Sequence, residues 1–146
     1  MLQFLISHRG NVSGKSSLEN SPDYIDNALE KGFDVEIDIR YRENKLLLGH
    51  DKGQYPISLD WINERKNNLW VHCKDKYSIE YLSSKSSEIN FFFHEDDDLT
   101  ITSKGFLWVF PGMQPVKNSI AVMPELYNDN IKQCIGVCSD FINNYK

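Results

Sequence analysis

Short apolar runs alternate along the chain with polar stretches that carry helix signals, and this order constrains the fold more than any other feature of the sequence. After the first apolar run, Ser21 can cap a helix, Pro22 suits its first position and Gly32 ends it. Similar signals, including a cap at Ser58, predict helices at about residues 22–31, 59–66 and 77–83. The repeated order of strand and helix predicts parallel strand pairing and an α/β fold.

The strand candidates are short and either apolar throughout or alternating. They are Leu2–Ser7, Phe33–Ile39, Leu46–Leu48, Leu69–Cys73, Ile89–Phe93, Phe106–Phe110, Ser119–Met123 and Cys134–Cys138. In Phe33–Ile39 the alternation is strict, with apolar residues on one side and Asp34, Glu36 and Asp38 on the other. An ordinary surface strand turns its acidic side to water, whereas a closed parallel barrel can turn it to the interior. The later connections are too short for full crossover helices, so any barrel formed here is a reduced one.

The composition indicates one globular domain. With 146 residues and 40% apolar content, residues 1–146 can bury a single core. A formal net charge of −5 provides no basic face, so we expect no nucleic-acid partner. The run Met1–Ser7 is too short for a signal peptide, and no apolar run is long enough for a membrane span. Three cysteines without zinc-type spacing are expected to be reduced thiols, which places the protein in the cytoplasm.

Four groups of polar residues follow one another in the first third of the chain. They are His8-Arg9-Gly10, Glu19-Asn20, Glu36-Ile37-Asp38 and Gly49-His50-Asp51. Together they supply imidazoles, a guanidinium and paired carboxylates. Hydrolysis of a phosphodiester needs a base, an acid and positive charge on the phosphoryl oxygens, and these side chains can meet all three needs.

The residue types suggest how the roles divide. His8 and His50 can act as base and acid, because an imidazole exchanges protons near neutral pH. Glu36 and Asp38, on one face of a strand, can bind a divalent cation such as Mg²⁺ or Ca²⁺. That ion would neutralise a phosphate oxygen. Arg9 can hold a second phosphate oxygen in fork geometry, and Lys74 can add a point charge beside it.

This set of motifs resembles the glycerophosphodiester phosphodiesterase family, within the phosphatidylinositol-phospholipase-like phosphodiesterases. The family carries His-Arg-Gly at the end of its first strand, Glu-Asn-Thr before its first helix, Glu-x-Asp on its second strand and His-Asp about a dozen residues later. Here the matching residues are His8-Arg9-Gly10, Glu19-Asn20-Ser21, Glu36-Ile37-Asp38 and His50-Asp51. Weaker matches follow at His72-Cys73-Lys74 and at Gly136-Val137-Cys138-Ser139-Asp140.

The resemblance implies a reduced TIM-like (β/α) barrel with some crossover helices shortened or missing. It also implies metal-dependent hydrolysis of a small glycerol- or sugar-linked phosphodiester, in which a neighbouring hydroxyl of the substrate attacks first and gives a cyclic phosphate. Two alternatives to this phosphoric diester hydrolase stay open: a non-catalytic module that binds a phospholigand, and a lyase that stops at the cyclic phosphate.

The chain departs from the family pattern at the third metal ligand. A typical member supplies a carboxylate from its third strand, where this chain has His72. Histidine can ligate the ion, but it shifts the preference toward Mn²⁺ or Zn²⁺. Glu125 and Asp140 are the alternative ligands.

Three further expectations concern the edges of the site. His94 falls, like the other histidines, at the carboxyl end of a strand. Either Trp108 or Phe110 can line a pocket for the organic part of the substrate, with core packing as the alternative role. Since a shortened barrel leaves strand edges uncovered, we also expect a homodimer.

Overall fold

A computed structural model of the chain describes residues 1–85 and 88–146. Its strands are β1 (Phe4–His8), β2 (Asp34–Arg42), β3 (Lys45–Leu48), β4 (Tyr55–Ile57), β5 (Leu69–Cys73), β6 (Phe91–Phe93), β7 (Leu99–Ile101), β8 (Leu107–Val109), β9 (Ser119–Val122) and β10 (Gly136–Ser139). The α-helices among these residues are α1 (Pro22–Glu30), α2 (Leu59–Asn63) and α3 (Lys76–Ser83). Short 3-10 helices cover Lys66–Asn68, Pro124–Leu126 and Ile142–Tyr145.

All ten strands belong to one mixed sheet, which curls into a half-barrel. Strands β6, β5, β2, β1, β10, β9 and β8 lie side by side in that order, and each pair is parallel. The antiparallel strand β7 extends the sheet beyond β8. At the other side, the far end of β2 continues into an antiparallel meander with β3 and β4. The long strand β2 therefore contacts three other strands.

The expectation of a TIM-like (β/α) barrel is wrong. The sheet does not close, because no strand pairing among the described residues joins β6 to β7 or β8. The helical layer is also missing over half of the sheet: from β6 onward the strands are joined by loops, a hairpin and 3-10 turns. A closed barrel needs a matched strand register around the whole circle and a helix behind nearly every strand. The strand β7, which runs against its neighbour, takes the place where a parallel strand would continue the circle.

The local predictions agree well with the elements observed. Helix α1 begins at Pro22 with the Ser21 hydroxyl accepting from the Tyr24 amide, and α2 is capped in the same way by Ser58. The α-helical part of α2 ends at Asn63, shorter than predicted, and a 3-10 turn follows it. Two strands of three residues each, β4 and β7, were not predicted from the sequence. Both pair only with a hairpin partner, and such short edge strands carry almost no alternating pattern.

The two faces of the sheet bury different kinds of side chain. On the outer face of β2, Val35, Ile37 and Ile39 pack with residues of the three helices in the largest apolar core. On the inner face of the neighbouring strands, aromatic rings pack below the carboxyl ends of the strands. Trp108 lies 4.7 Å from the ring of Phe92 and 5.8 Å from that of Trp70, measured between ring centroids. These rings support the curl from inside and form a floor beneath the carboxyl ends of the strands.

Within residues 1–85 and 88–146, no helix has the length and apolar character needed to cross a membrane. The three cysteines form no disulfide: Cys73 and Cys138 are buried, and Cys134 is partly exposed. Burial raises the pKa of Cys73 to about 12 and that of Cys138 well above its usual value.

These thiols make a direct test of the fold. In the native protein at pH 8.5 we expect iodoacetamide to modify Cys134 first, because Cys73 and Cys138 are inaccessible and stay protonated. Mass spectrometry of peptides at successive times measures the order. In urea all three should react at similar rates. Early modification of Cys73 in the folded protein would contradict the described core.

Candidate metal centre and active site

A cavity of about 670 Å³ opens at the carboxyl ends of the parallel strands. All four histidines of the chain line it, at positions 8, 50, 72 and 94. Arg9, Glu36 and Lys74 line the same cavity. The structure thus brings the polar groups singled out in the sequence to one place.

Strand register explains why these side chains meet. His8 is aligned with Glu36 across β1 and β2, and Asp38 is aligned with His72 across β2 and β5. Aligned residues of parallel neighbours point to the same face of a sheet. Four ionisable side chains, those of His8, Glu36, Asp38 and His72, therefore project from three adjacent strands onto the concave inner face.

Glu36, Asp38 and His72 form a group whose potential ligand atoms all lie within 4.8 Å of one another. The His72 Nδ1 atom is 3.8 Å from Glu36 Oε1 and 3.5 Å from Asp38 Oδ1. Both carboxylates are buried, and Glu36 Oε1, Glu36 Oε2 and Asp38 Oδ1 have no hydrogen-bond partner. Unpartnered buried carboxylate oxygens are costly unless a cation completes the site. This buried triad can hold a metal ion.

The orientation of His72 fits that role. Its Nε2 atom lies 3.0 Å from the backbone oxygen of His94, so Nε2–H donates to that carbonyl and Nδ1 keeps its lone pair toward the carboxylates. Metal-binding histidines are commonly oriented in this way by a second hydrogen bond. Burial lowers the pKa of His72 to about 4. The ring is therefore neutral at neutral pH, as a metal ligand must be.

The two buried acids differ in their electrostatic environment. Burial and the nearby charge of Asp38 raise the pKa of Glu36 well above its usual value. Burial acts in the same direction on Asp38, but the charge of Arg9 and a hydrogen bond from Asn20 outweigh it, so the pKa of Asp38 is lowered. The Arg9 Nε atom lies 3.0 Å from Asp38 Oδ2 as an ion pair, without the alignment of a hydrogen bond. Asn20 holds Asp38 twice, donating from Nδ2 to Oδ2 at 2.9 Å and accepting from the Asp38 amide at 3.0 Å.

His8 is oriented by Asp140, the residue after β10. Its Nδ1 atom is 2.8 Å from Asp140 Oδ1, and its Nε2 atom faces Glu36 Oε2 at 3.5 Å. Asn11 donates to the same Asp140 oxygen at 2.8 Å and to Glu19 Oε1 at 3.0 Å. Burial opposes the charge of Asp140, but these hydrogen bonds lower its pKa. An ionised Asp140 fixes the His8 tautomer that leaves Nε2 free toward the cavity.

His50 reaches the cavity from the loop after β3. Its Nδ1 atom lies 2.7 Å from Asp51 Oδ1, and the side chain is 39% exposed. Arg40 holds the loop by donating from Nε to the Gly49 oxygen at 3.3 Å and from Nη2 to the His50 oxygen. At Gly49, with φ +150°, a Cβ atom would lie 1.9 Å from the Lys52 oxygen. Only glycine fits there.

The structure separates the three candidates for the third metal ligand. Glu125 accepts hydrogen bonds from Ser139 and Tyr145 and does not line the cavity. Asp140 is occupied by His8 and Asn11. His72 is the candidate that lies within reach of both Glu36 and Asp38.

The remaining predicted residues take different positions. Lys74 lines the cavity after β5, and Glu19 lies 3.9 Å from Arg9 Nη1. His94 is buried and its ring stacks on Phe110 at 5.4 Å. Trp108 combines both roles considered for it, since it packs in the inner aromatic cluster and also lines the cavity.

Sequence reasoning missed three residues that hold the site together: Asn11, Arg40 and Asp140 in its role as the partner of His8. Arg40 continues the alternation of Glu36 and Asp38 along β2, and this period could have placed it on the inner face. Asn11 carries no such signal, because it lies in the loop after β1, and its partners Glu19 and Asp140 lie 8 and 129 residues further along the chain.

Comparison of the chain with protein-family models, with curated proteins and with solved structures finds no match. The resemblance described above therefore depends on its motif residues alone, and the activity it implies stays a prediction.

The triad predicts one divalent-cation site. In calorimetric titrations with Mg²⁺, Ca²⁺, Mn²⁺ and Zn²⁺ we expect at least one ion to bind with a stoichiometry of about one. Glu36→Gln should weaken that affinity by more than about tenfold, because it replaces a carboxylate ligand by a neutral amide of the same shape. Glu95→Gln serves as the matched control, since Glu95 lines the cavity outside the triad. An equal loss in both variants would indicate nonspecific attraction by acidic groups.

The loop that carries His50 gives a stability prediction. Gly49→Ala should lower the free energy of unfolding by about 3 kcal/mol or more, because the backbone region is closed to alanine and the methyl group collides with the Lys52 carbonyl. Gly105→Ala, also at positive φ but with open space around the new methyl group, should cost only about 1 kcal/mol. Urea unfolding measures both. Equal losses would show that the contact with Lys52 does not constrain the loop.

Proposed function

We propose that the protein is a metal-dependent phosphodiesterase that hydrolyses a small phosphodiester. The observation that supports this most is the place of the unpartnered carboxylates. Glu36 lines the same cavity as His8, His50 and Arg9, and the potential ligand atoms of Asp38 and His72 lie within 4.8 Å of it. A cation site alone has many uses. A cation site beside two imidazoles and a guanidinium matches the needs of phosphodiester hydrolysis.

In this proposal His8 accepts at Nε2 the proton of a neighbouring hydroxyl of the substrate, whose oxygen attacks phosphorus, forms the cyclic phosphate and displaces the other alcohol. Asp140 keeps the ring in the required tautomer through Nδ1 and stabilises the imidazolium that results, as a carboxylate does for histidine bases in general. His50, with Asp51 on its Nδ1 atom, donates a proton to the departing alkoxide. The order can be reversed for the second half of the reaction, when water opens a cyclic phosphate.

Positive charge for the phosphoryl oxygens comes from two sources. Glu36, Asp38 and His72 would hold the divalent ion, which when bound neutralises a phosphate oxygen and lowers the pKa of a coordinated hydroxyl. Arg9 and Lys74, which line the cavity on either side of β2, attract the remaining oxygens. Two carboxylates favour Mg²⁺ or Ca²⁺, while the imidazole of His72 adds affinity for Mn²⁺ or Zn²⁺.

A phospholigand-binding module without catalysis is the second candidate. The position of His72 favours it, because the family that the motifs resemble has a carboxylate there, while the phosphate-binding candidates Arg9 and Lys74 still line the cavity. The two candidates differ in turnover. A cyclising lyase differs from a hydrolase in its product, which phosphorus NMR identifies as a cyclic phosphate.

The test is a screen of glycerol- and sugar-linked phosphodiesters with each of the four divalent ions, followed by phosphorus NMR. We expect hydrolysis that EDTA abolishes and one ion restores. His8→Ala and His50→Ala should each lower kcat by at least about a hundredfold, because each removes a proton-transfer group.

All four histidines line the cavity, so no distant histidine offers a matched control for these variants. Circular dichroism and urea unfolding replace it, and both variants should keep the wild-type spectrum. Full activity in EDTA would exclude the metal role. Wild-type turnover in either variant would exclude that histidine as an acid or base.

A further inference from the structure

The cavity has two chemically different walls. One wall carries the imidazoles, carboxylates and cations described above, which come from β1, β2 and β5 and from the loops after β3 and β6. The opposite wall comes from β8, β9 and the segments that follow them, and it is apolar. Its members are Trp108, Phe110, Pro111, Val122, Met123 and Leu126. Phosphodiester chemistry uses none of these side chains.

Several of these large apolar side chains are exposed to solvent, although burying them would be favourable. Phe110 is 40% exposed and Leu126 is 65% exposed. Met113 and Tyr127, which lie close to Phe110 and Leu126 in the chain, are exposed as well, and the ring of Tyr127 lies near Gly112. Burying such surface against an apolar ligand releases its hydration and is favourable by about 25 cal/mol for each Å². A cluster of exposed apolar side chains at a cavity mouth is typical of a binding surface.

A second, polar cavity of about 220 Å³ lies on the other side of the phosphate-binding groups. It shares Arg9 and His50 with the main cavity. Its other lining residues are polar and belong to the loops after β1 and β3, among them Ser16, Ser17 and Gln54. The shared residues therefore stand between a polar compartment and an apolar one. A phosphodiester bound at Arg9 would direct its two alcohol groups into unlike surroundings.

We propose that the substrate is an amphipathic phosphodiester: one alcohol is polar and the other is an alkyl or aryl group that rests on the wall formed by Trp108, Phe110, Val122, Met123 and Leu126. This inference depends on the proposed function, and it adds the substrate class. The apolar wall selects the substrate because a polar alcohol in that position would lose hydration without gaining hydrogen bonds. The apolar group can belong to a free small molecule or to a lipid.

The test compares two diesters that share glycerol as one alcohol. The other alcohol is octanol in the first and triethylene glycol in the second, which are primary alcohols of similar length. With the activating metal present, we expect kcat/KM for the octyl diester to exceed that for the glycol diester by about tenfold or more, since one or two methylene groups on an apolar wall already give such a factor. Equal values, or a preference for the glycol diester, would overturn the proposal and leave the phosphodiesterase activity standing.

Matched variants locate the preference on the proposed wall. Leu126→Thr should lower the octyl preference by about fivefold, because it removes apolar contact area from the wall. Ile101→Thr is the control: Ile101 is similarly exposed, at 62%, but lies on β7 outside the cavity lining. The control should keep the wild-type ratio. A fall of the same size in both variants would overturn the assignment to this wall.

Binding of the monoesters separates failure of this proposal from failure of the proposed function. By calorimetry we expect octyl phosphate to bind more tightly than triethylene glycol phosphate, and Leu126→Thr to reduce the difference. If no diester is hydrolysed but this pattern is observed, the phosphodiesterase proposal fails and the apolar subsite stands. If neither monoester is preferred, the subsite is excluded.

A third diester identifies the source of the apolar group. The hexadecyl analogue is presented in phosphatidylcholine vesicles, while the octyl diester stays monomeric in solution. Cleavage of the octyl diester with no cleavage of the vesicle substrate supports a free small molecule. Faster cleavage in vesicles supports a lipid headgroup held at a membrane surface.

Discussion

The burial of two carboxylates on one strand is the constraint on which the rest of the structure depends. Glu36 and Asp38 lie in the middle of the sheet with less than a few percent exposure, and an uncompensated buried charge costs on the order of several kcal/mol. The four carboxylate oxygens differ in how well neighbouring groups compensate their burial. Arg9 and Asn20 satisfy Asp38 Oδ2, whereas three of the four carboxylate oxygens have no hydrogen-bond donor. A cation is the partner that would complete the group.

The curl of the sheet turns this constraint into a site. Parallel pairing places the carboxyl ends of β1 and β5 beside the middle of β2, with the end of β10 next to β1. The segments that leave these ends carry Arg9, Lys74 and Asp140. The loops turn sharply at residues with uncommon backbone conformations, since Arg9, Asn20 and Gly49 all have positive φ values. On the other side of the cavity, the aromatic cluster around Trp108 fills the inner face of the sheet. Trp108 also forms part of the apolar wall of the cavity.

Local signals in the sequence were sufficient for most elements and for most of the candidate site. Ser21 and Ser58 mark helix starts through short-range capping, and the period of two in β2 separates acids from core residues. The closure of the sheet is different, because it depends on register around many strands. The strand β7 pairs with β8 in antiparallel orientation. Its three residues carry no sequence pattern that indicates this change from parallel pairing. The TIM-like barrel was therefore the part of the prediction that failed.

The sequence by itself determined which groups are available and which side of each strand they occupy, since alternation and capping are local properties of the chain. Only the tertiary structure decided their partners. It placed Asp140 against His8 although the two are far apart in sequence, and it held the His50 loop through Arg40. It also chose His72 over Glu125 for the metal group, because Glu125 is engaged by Ser139 and Tyr145. Distances between residues remote in the chain arise from packing and strand register, which no local pattern encodes.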